Sequence, residues 1–496
     1  MPLTPKAIYQ DLKNKELDYN SALQLLIALI ENTDNAETRL ESIRILGKIP
    51  AKEKKVFELL ENLLISDSNK SIRNMAAWLM QTNFLERSLK PMKWALEYEN
   101  ELMCLITIIS TLSKINSKKS KSILIDKLKY FSYLENKYNL QNIFKNKKIE
   151  SFDTQDLAEL LINYYFIKLL KVKFGFIKYE FDMDGFITKL DLTNVDPQGI
   201  YLSDFLNLIY SLKHLRELDL RFNNLIELSE ISNISDSIIS LDLSYNKLIT
   251  LPDSIDKIQS LKELNLKSNR LRTLPDSLGN ISSIQILNLR NNILTEIPKS
   301  IKSFKFLKTL NLHGNKLNSI EFELNDSIKE LELGWNNFSE IPPKIKSILS
   351  LERLGMSGNE LKKLPKWISL FQSLKVLDLY DNKIDQLPNS LGNLTSLEIL
   401  VLRNNYLNSL PQSLRALKDL KILNLSWNRF SFIPEWICEL TSLEELNLWG
   451  NKLETLPESI NLLQNLKILD LSFNKFGQIP PFLREFESKN NIIIKI

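Results

Sequence analysis

From Leu215 to the end of the chain, apolar residues return in one frame, L-x-x-L-x-L-x-x-N-x-L. Its twelve starts are Leu215, Ile238, Leu261, Ile284, Leu307, Ile328, Leu351, Leu374, Leu397, Leu420, Leu443 and Leu466. The step is 23 residues except between Leu307 and Ile328, where it is 21. Within each unit, positions 4 and 6 alternate with polar residues, which predicts a short strand with one face in a core and one in water. A fixed period of this length predicts a solenoid, in which each unit buries its apolar edge only against its neighbours. The second half of most units reads L-P-x-x-[LI]-x-x-[LI], as in LPDSIDKI at 251–258. Proline fixes φ and lacks an N–H, so it predicts the start of a short helical or 3₁₀ turn. The unit holding IEFELNDS at 320–327 lacks the proline and is two residues short, which predicts locally altered curvature.

The rest of the chain has a different period. Residues 1–150 show helical spacing, with an apolar helix, an acidic or Asn-bearing turn, and a second helix opening near an arginine. Asp34 precedes Arg39 as Asp67 precedes Arg73, and the two arginines stand 34 residues apart. Residues 151–212 hold one amphipathic helix, with Ser151 and Asp153 as capping candidates. After it, alternation in Phe176–Phe181, a turn at Met183-Asp184-Gly185 and renewed alternation in Phe186–Leu192 predict a hairpin. Its second arm fits the frame as a degenerate first unit, with Val195 in place of Asn. The tail is expected to add a closing strand, with Ile492 and Ile494 at positions 4 and 6. Three segments follow: 1–150 helical, 151–212 a cap with the degenerate unit, and 213–496 the array of twelve units plus the closing strand.

Composition narrows the class. Sixty-four Lys+Arg against 60 Asp+Glu leave a net charge of +4, so no whole-chain field calls for nucleic acid or membrane. Only two cysteines occur, Cys104 and Cys438, both in apolar surroundings, too few for a disulfide framework. The N-terminal residues carry no signal-peptide core and no segment reaches the ~20 apolar residues of a membrane span. Cytoplasmic placement is the expectation.

The 215–496 pattern resembles the leucine-rich repeat family, and its 23-residue Leu-Pro period resembles the Ras-group class of that family. The helical pattern of 1–150 resembles HEAT repeats, in which an Asp-to-Arg contact links neighbouring units. The fold class expected is an α/β leucine-rich repeat solenoid, with a parallel concave β-sheet and short helical turns on the convex side, preceded by an all-α HEAT-like region. The resemblance implies a cytosolic signalling scaffold that binds a small GTPase or its regulator. The position-9 asparagines, from Asn223 to Asn474, are expected to form a structural ladder of buried amides. Asp and Asn at position 5 are expected to form a side-chain ladder along the sheet.

Exposed positions 7 and 8 carry Phe222, Tyr245, Trp335, Tyr380, Arg403, Trp427, Trp449 and Phe473, the partner-binding residues expected here. Solvent-facing aromatic and arginine side chains on a rigid sheet are the usual anchors of protein interfaces. Catalysis has little support: the two histidines, His214 and His313, stand in separate repeats away from any Ser or Cys nucleophile in the frame, and no phosphate-binding G-x-x-x-x-G-K-[ST] motif occurs. Glu180-x-Asp182-x-Asp184-Gly185 imitates the start of a calcium loop, but a strand rather than a helix is expected to follow it. No cofactor or metal is expected. Two readings rival a non-catalytic scaffold. One is a GTPase-regulating protein acting through Arg221, Arg290 or Arg403 on the concave face. The other is an adaptor to acidic membrane or nucleic acid through Lys114–Lys148, with ten lysines against two acidic residues.

Overall fold

The computed structural model describes residues 4–49, 51–134, 148–199, 202–210, 212–228, 236–478, 480–490 and 492–496. Two compact units result, Met1–Leu190 and Asp191–Ile496. The helix and hairpin expected within 151–212 fall in the first unit, and the residues from Asp191 onward in the second.

In the first unit, described helices run α1 Pro5–Asn14, α2 Tyr19–Asn32, α3 Ala36–Lys48, α4 Lys54–Ser66, α5 Lys70–Asn83, α6 Leu89–Tyr98, α7 Leu102–Ile115, α8 Lys118–Leu134 and α9 Thr154–Phe174. Asx caps set several starts: Asp18 accepts from Ser21 N at 3.0 Å, Asn35 from Thr38 N at 2.9 Å and Asn69 from Ser71 N at 2.9 Å. The helix after residue 150 is capped by Asp153, which accepts from Asp156 N at 2.8 Å. Ser151, the other capping candidate, instead closes a 3₁₀ turn by donating to the Lys148 carbonyl. The arginine spacing has a structural outcome. Arg39 forms an ion pair with Asp67 one repeat on, and also donates from Nε to the Ile30 carbonyl. Arg73 does the same one unit later with Glu99 at 2.7 Å, so a glutamate takes the aspartate's place. Each arginine therefore ties its own helix pair to the next.

The hairpin joins β1 Lys178–Phe181 to β2 Ile187–Asp191. Asp182 accepts from Asp184 N and Phe186 N, both at 3.0 Å, and Gly185 takes a φ of 89°. The carboxylate is used to build the turn, and a strand follows it.

The second unit repeats one coil. Strands β3 Glu217–Asp219 through β14 Ile468–Asp470 are three residues each, occupy frame positions 3–5 and pair in parallel, as in Leu218↔Leu241 and Leu400↔Leu423. Leu and Ile at positions 1, 4, 6 and 11 are buried. After each Leu-Pro a five-residue 3₁₀ turn follows, such as Asp253–Lys257 and Gln412–Ala416, on the convex side. The short unit has no such turn; Phe322 and Leu324 are buried in its place, and β7 Thr309–Asn311 still pairs in register with β8 Glu330–Glu332.

The asparagine ladder is built as its chemistry requires. Asn246 donates from Nδ2 to the Leu220 and Leu243 carbonyls at 3.0 and 2.9 Å, and its Oδ1 accepts from Leu225 N at 3.0 Å. The same three bonds recur as far as Asn474. In the degenerate unit the buried carboxylate of Asp196, one place after Val195, accepts from Leu202 N at 2.7 Å, and helix α10 Ser203–Tyr210 follows.

Two expectations are corrected. Position-5 Asp and Asn mostly bond their own chain two residues on, as Asp378 does with Tyr380 N at 3.0 Å, because so short a side chain reaches its own amide before the next strand. A cross-strand bond joins Asn265 to Asp242 at 2.9 Å. At the C-terminus, α11 Pro481–Asn490 replaces the short 3₁₀ turn and consumes two further residues. The closing strand β15 Ile493–Lys495 therefore pairs Ile494 with Leu469 and places Ile494, not Ile492, at position 4.

Candidate functional site

The open face of the sheet is formed by positions 3, 5, 7 and 8. Position 8 is left-handed in every full repeat: φ is 59° at Phe222, 56° at Tyr245, 51° at Trp335, 54° at Trp427 and 58° at Phe473. Gly314, Gly358 and Gly450 occupy the same place with φ of 70°, 61° and 69°. Glycine and asparagine tolerate this conformation, whereas a bulky side chain is strained there by roughly 1 kcal/mol or more. Five repeats thus hold a large aromatic ring at a position where the backbone favours a small residue.

The structure sorts the expected residues into three groups. Phe222 and Tyr245 stack at 4.4 Å with 9° between ring planes, and Lys267 lies over the Tyr245 ring at 5.1 Å. Trp335 stands apart, its indole packed over the bare Cα of Gly358. The remaining five come together. Trp427 meets Trp449 edge to face at 5.0 Å, and Trp449 meets Phe473 edge to face at 5.9 Å. The Arg403 guanidinium lies 5.4 Å from both the Tyr380 and the Trp449 ring centroids. Trp449 reaches it across the intervening repeat because position 7 there is the small, buried Ser426. Trp427 is 49% exposed and Phe473 80% exposed, while Tyr380, Arg403 and Trp449 are half-buried.

Beside this cluster runs a strip that the aromatic pattern alone did not reveal. Val376, Ile399 and Ile422 are register partners at position 3, all half-buried, with Val401 at position 5 between them. The signal was present in the sequence as apolar residues at a position that holds Glu217, Glu263, Glu330 and Glu445 in other repeats. At the strip's margin, position 2 alternates charge: Lys329 and Lys375 pair with Glu352 at 3.5 and 2.9 Å, Lys421 with Glu398 at 2.6 Å and Lys467 with Glu444 at 2.5 Å. These exposed links neutralise the margin and add little stability each.

The middle of the face is polar and tightly packed. Burial pushes the Glu332 and Asp378 carboxyls up, partly offset by the Arg353 guanidinium. His313 is held down, by burial first and by Arg290 second. Among the described residues no group of three or more His, Cys, Asp or Glu is arranged to hold a metal ion.

The rival sites look different in place. Arg221 is bound to Asp219, with Nη2 2.6 Å from Oδ2 and Nε 2.9 Å from each oxygen. Within the basic segment, Lys114 donates to Gln81, Lys121 to the Glu150 carbonyl and Lys127 to the Leu96 carbonyl, while Lys129 pairs with Glu150. Burial lowers the Lys127 ammonium. Residues 135–147 of that segment lie outside the described residues. No described helix is long and apolar enough to cross a membrane. Cys104 and Cys438 are free and buried, and desolvation raises both thiols.

A parallel sheet backed by 3₁₀ turns, with a buried asparagine in each coil, defines a leucine-rich solenoid. The chain belongs to the leucine-rich repeat family. Residues 366–478 match the family model described as a leucine-rich repeat region, and residues 213–271 match the leucine rich repeat model. A leucine-rich repeat protein of Leptospira interrogans is 30% identical, with 58% of this chain and 86% of that one covered and a TM-score of 0.46. An internalin of Listeria monocytogenes is 24% identical over 62% of this chain and 86% of its own, with a TM-score of 0.52. The functional domain of a second Listeria monocytogenes protein, InlJ, is 22% identical over 62% of each chain, with a TM-score of 0.51. No curated protein matches the chain. Solenoids of this kind present extended concave binding surfaces.

Proposed function

We propose that the protein is a non-catalytic scaffold in signal transduction, and that the C-terminal half of its concave sheet binds a folded protein partner. The observation that carries this reading is the convergence of Tyr380, Arg403, Trp427, Trp449 and Phe473 into one exposed patch beside the Val376–Ile399–Ile422 strip. Exposed Trp, Tyr and Arg next to apolar surface are the composition of an interface centre. Strained backbone at Trp427 and Phe473 argues in the same direction, since such conformations gather at functional sites. Phe222 with Tyr245, and Trp335 alone, form smaller outlying contacts of the same surface. A small GTPase or its regulator is the partner that the Ras-group resemblance suggests, and the buried free thiols suit a cytoplasmic place of action.

The test is partner capture from source lysate by the intact chain, by Trp427→Ala/Trp449→Ala and by Phe222→Ala/Tyr245→Ala. A partner lost with the first pair and kept with the second supports the reading; a partner kept by the first pair, with circular dichroism unchanged, refutes it.

The GTPase-regulating alternative now rests on Arg290 and Arg403, because Arg221 is spent on Asp219. It requires GTP hydrolysis by a candidate GTPase to quicken with the intact chain and to lose that gain in Arg403→Ala or Arg290→Ala. The adaptor alternative is weakened by the internal contacts of Lys114, Lys121, Lys127 and Lys129. It requires salt-sensitive binding to anionic vesicles or RNA.

A further inference from the structure

We infer that Arg403 is a receptor for a carboxylate, and that the segment seated on the concave patch is an acidic residue flanked by apolar ones. This rests on the patch being the partner surface.

The contrast with Arg221 is the starting point. Both arginines stand at position 7, and at Arg221 the position-5 residue of the same strand is Asp219, which takes Nε and Nη2. At Arg403 position 5 is Val401, which offers no acceptor. Arg403 forms no ion pair among the described residues, and its Nε is buried without a hydrogen-bond acceptor. The nearby acids are already engaged: Asp378 accepts from Tyr380 N at 3.0 Å, and Asp381 accepts from Asn404 Nδ2 at 2.6 Å. The two Nη groups are not buried and make no hydrogen bond among the described residues, so they are the donors an incoming carboxylate meets.

The guanidinium is also held in place. Tyr380 and Trp449 lie 5.4 Å away on either account, so the planar fork is fixed before a ligand arrives and less side-chain freedom is lost on binding. The two rings lower the local dielectric at the guanidinium, so a carboxylate that meets it feels a stronger field than on an open surface. Arg290, whose Nε likewise has no acceptor, has no such ring contact among the described residues.

The neighbourhood sets the rest of the specificity. Val376, Ile399 and Ile422 stand in register at position 3 on one side of Arg403, and Trp427 and Phe473, each edge to face with Trp449, stand at position 8 on the other. A purely polar segment would strip water from these side chains without replacing it by contacts. Apolar neighbours on each side of the acid satisfy both halves of the patch.

The test pans a phage-displayed library of random peptides, about twelve residues long, against the intact chain, Arg403→Glu, Arg403→Gln and Trp427→Ala/Trp449→Ala. The intact chain is expected to enrich clones with Asp or Glu beside Leu, Ile, Phe or Trp. Arg403→Gln should recover these clones about tenfold less, the usual scale for losing a charged hydrogen bond. Arg403→Glu should select Lys- or Arg-bearing clones instead. Clones without an acid, acidic clones that survive Arg403→Glu, or no enrichment on the intact chain would overturn the inference. In those cases, partner capture that still depends on Trp427 and Trp449 leaves the interaction surface standing. Capture indifferent to the two tryptophans removes the surface and the carboxylate receptor together. Unchanged circular dichroism and Tm in each variant keep misfolding out of the result.

Discussion

The carboxylate of Glu332 lies over the bare Cα of Gly355, in the space that any side chain at that position would fill. Glycine at position 5 is thus a consequence of the long acid one repeat earlier, and Asp378 follows one repeat later at the same position. Burial raises both carboxyls. A folded-state value above the ordinary 4.5 and 3.8 means the folded chain holds these protons more tightly than the unfolded one. The stabilisation is complete below those ordinary values and is lost as pH rises through the folded ones. Glu332→Gln is therefore expected to raise the Tm at pH 7.5 and to leave it unchanged near pH 4. A Tm difference that grows on acidification would contradict the assignment. Gly355→Ala, which displaces the carboxylate, should lower the Tm at both pH values.

The helical unit has the opposite pH sign. Burial alone would raise Glu99, but Arg73 and the amides of Glu101 and Asn100 outweigh it and hold the carboxyl at about 2. Its contribution is present above the ordinary value of 4.5 and is lost as pH falls from there through about 2. Glu99→Gln should cost about 1–2 kcal/mol at pH 7 after allowance for solvent screening, and much less at pH 2. Hydrogen exchange of α5 and α7 measures this locally, and equal protection in the variant at pH 7 would rule out the coupling.

Asn405 joins three backbone groups. It donates to the Leu379 and Leu402 carbonyls at 2.9 and 3.1 Å and accepts from Ile384 N at 3.0 Å. Asn405→Leu fills similar space and leaves the buried Ile384 N–H unpaired, while the Leu379 and Leu402 carbonyls each lose one donor and keep Asn382 and Asn428. The expected loss is about 1–3 kcal/mol, the usual penalty for one buried donor left unpaired. Asn474→Leu, at a half-buried outer coil, should cost less. Urea unfolding of both variants gives the comparison, and equal losses would show that the amides act singly rather than as a buried ladder.

Trp427 separates stability from function. Its left-handed backbone favours asparagine, while its ring gains edge-to-face contact with Trp449. The two effects are each about 1 kcal/mol and opposed. Trp427→Asn should therefore change unfolding free energy by less than about 1 kcal/mol while abolishing partner capture. A large fall in stability would make the ring a structural element and remove the reason to regard it as an interface anchor.

The repeat frame, the strand and turn alternation and the asparagine ladder could be seen in the residues, because each depends on a neighbour at a fixed step along the chain, whereas the link of Arg73 to Glu99 could not, its step being shorter than that of Arg39 to Asp67. The same regularity misled at the tail, where α11 used two residues that the period did not supply. What only the tertiary structure decided was which exposed residues meet. Position-7 and position-8 side chains lean across strands according to the size of what lies between, so Trp449 reaches Arg403 over Ser426 whereas Trp335 settles on Gly358. Those contacts depend on side-chain volume two coils away and on left-handed φ angles, and a one-dimensional period carries neither.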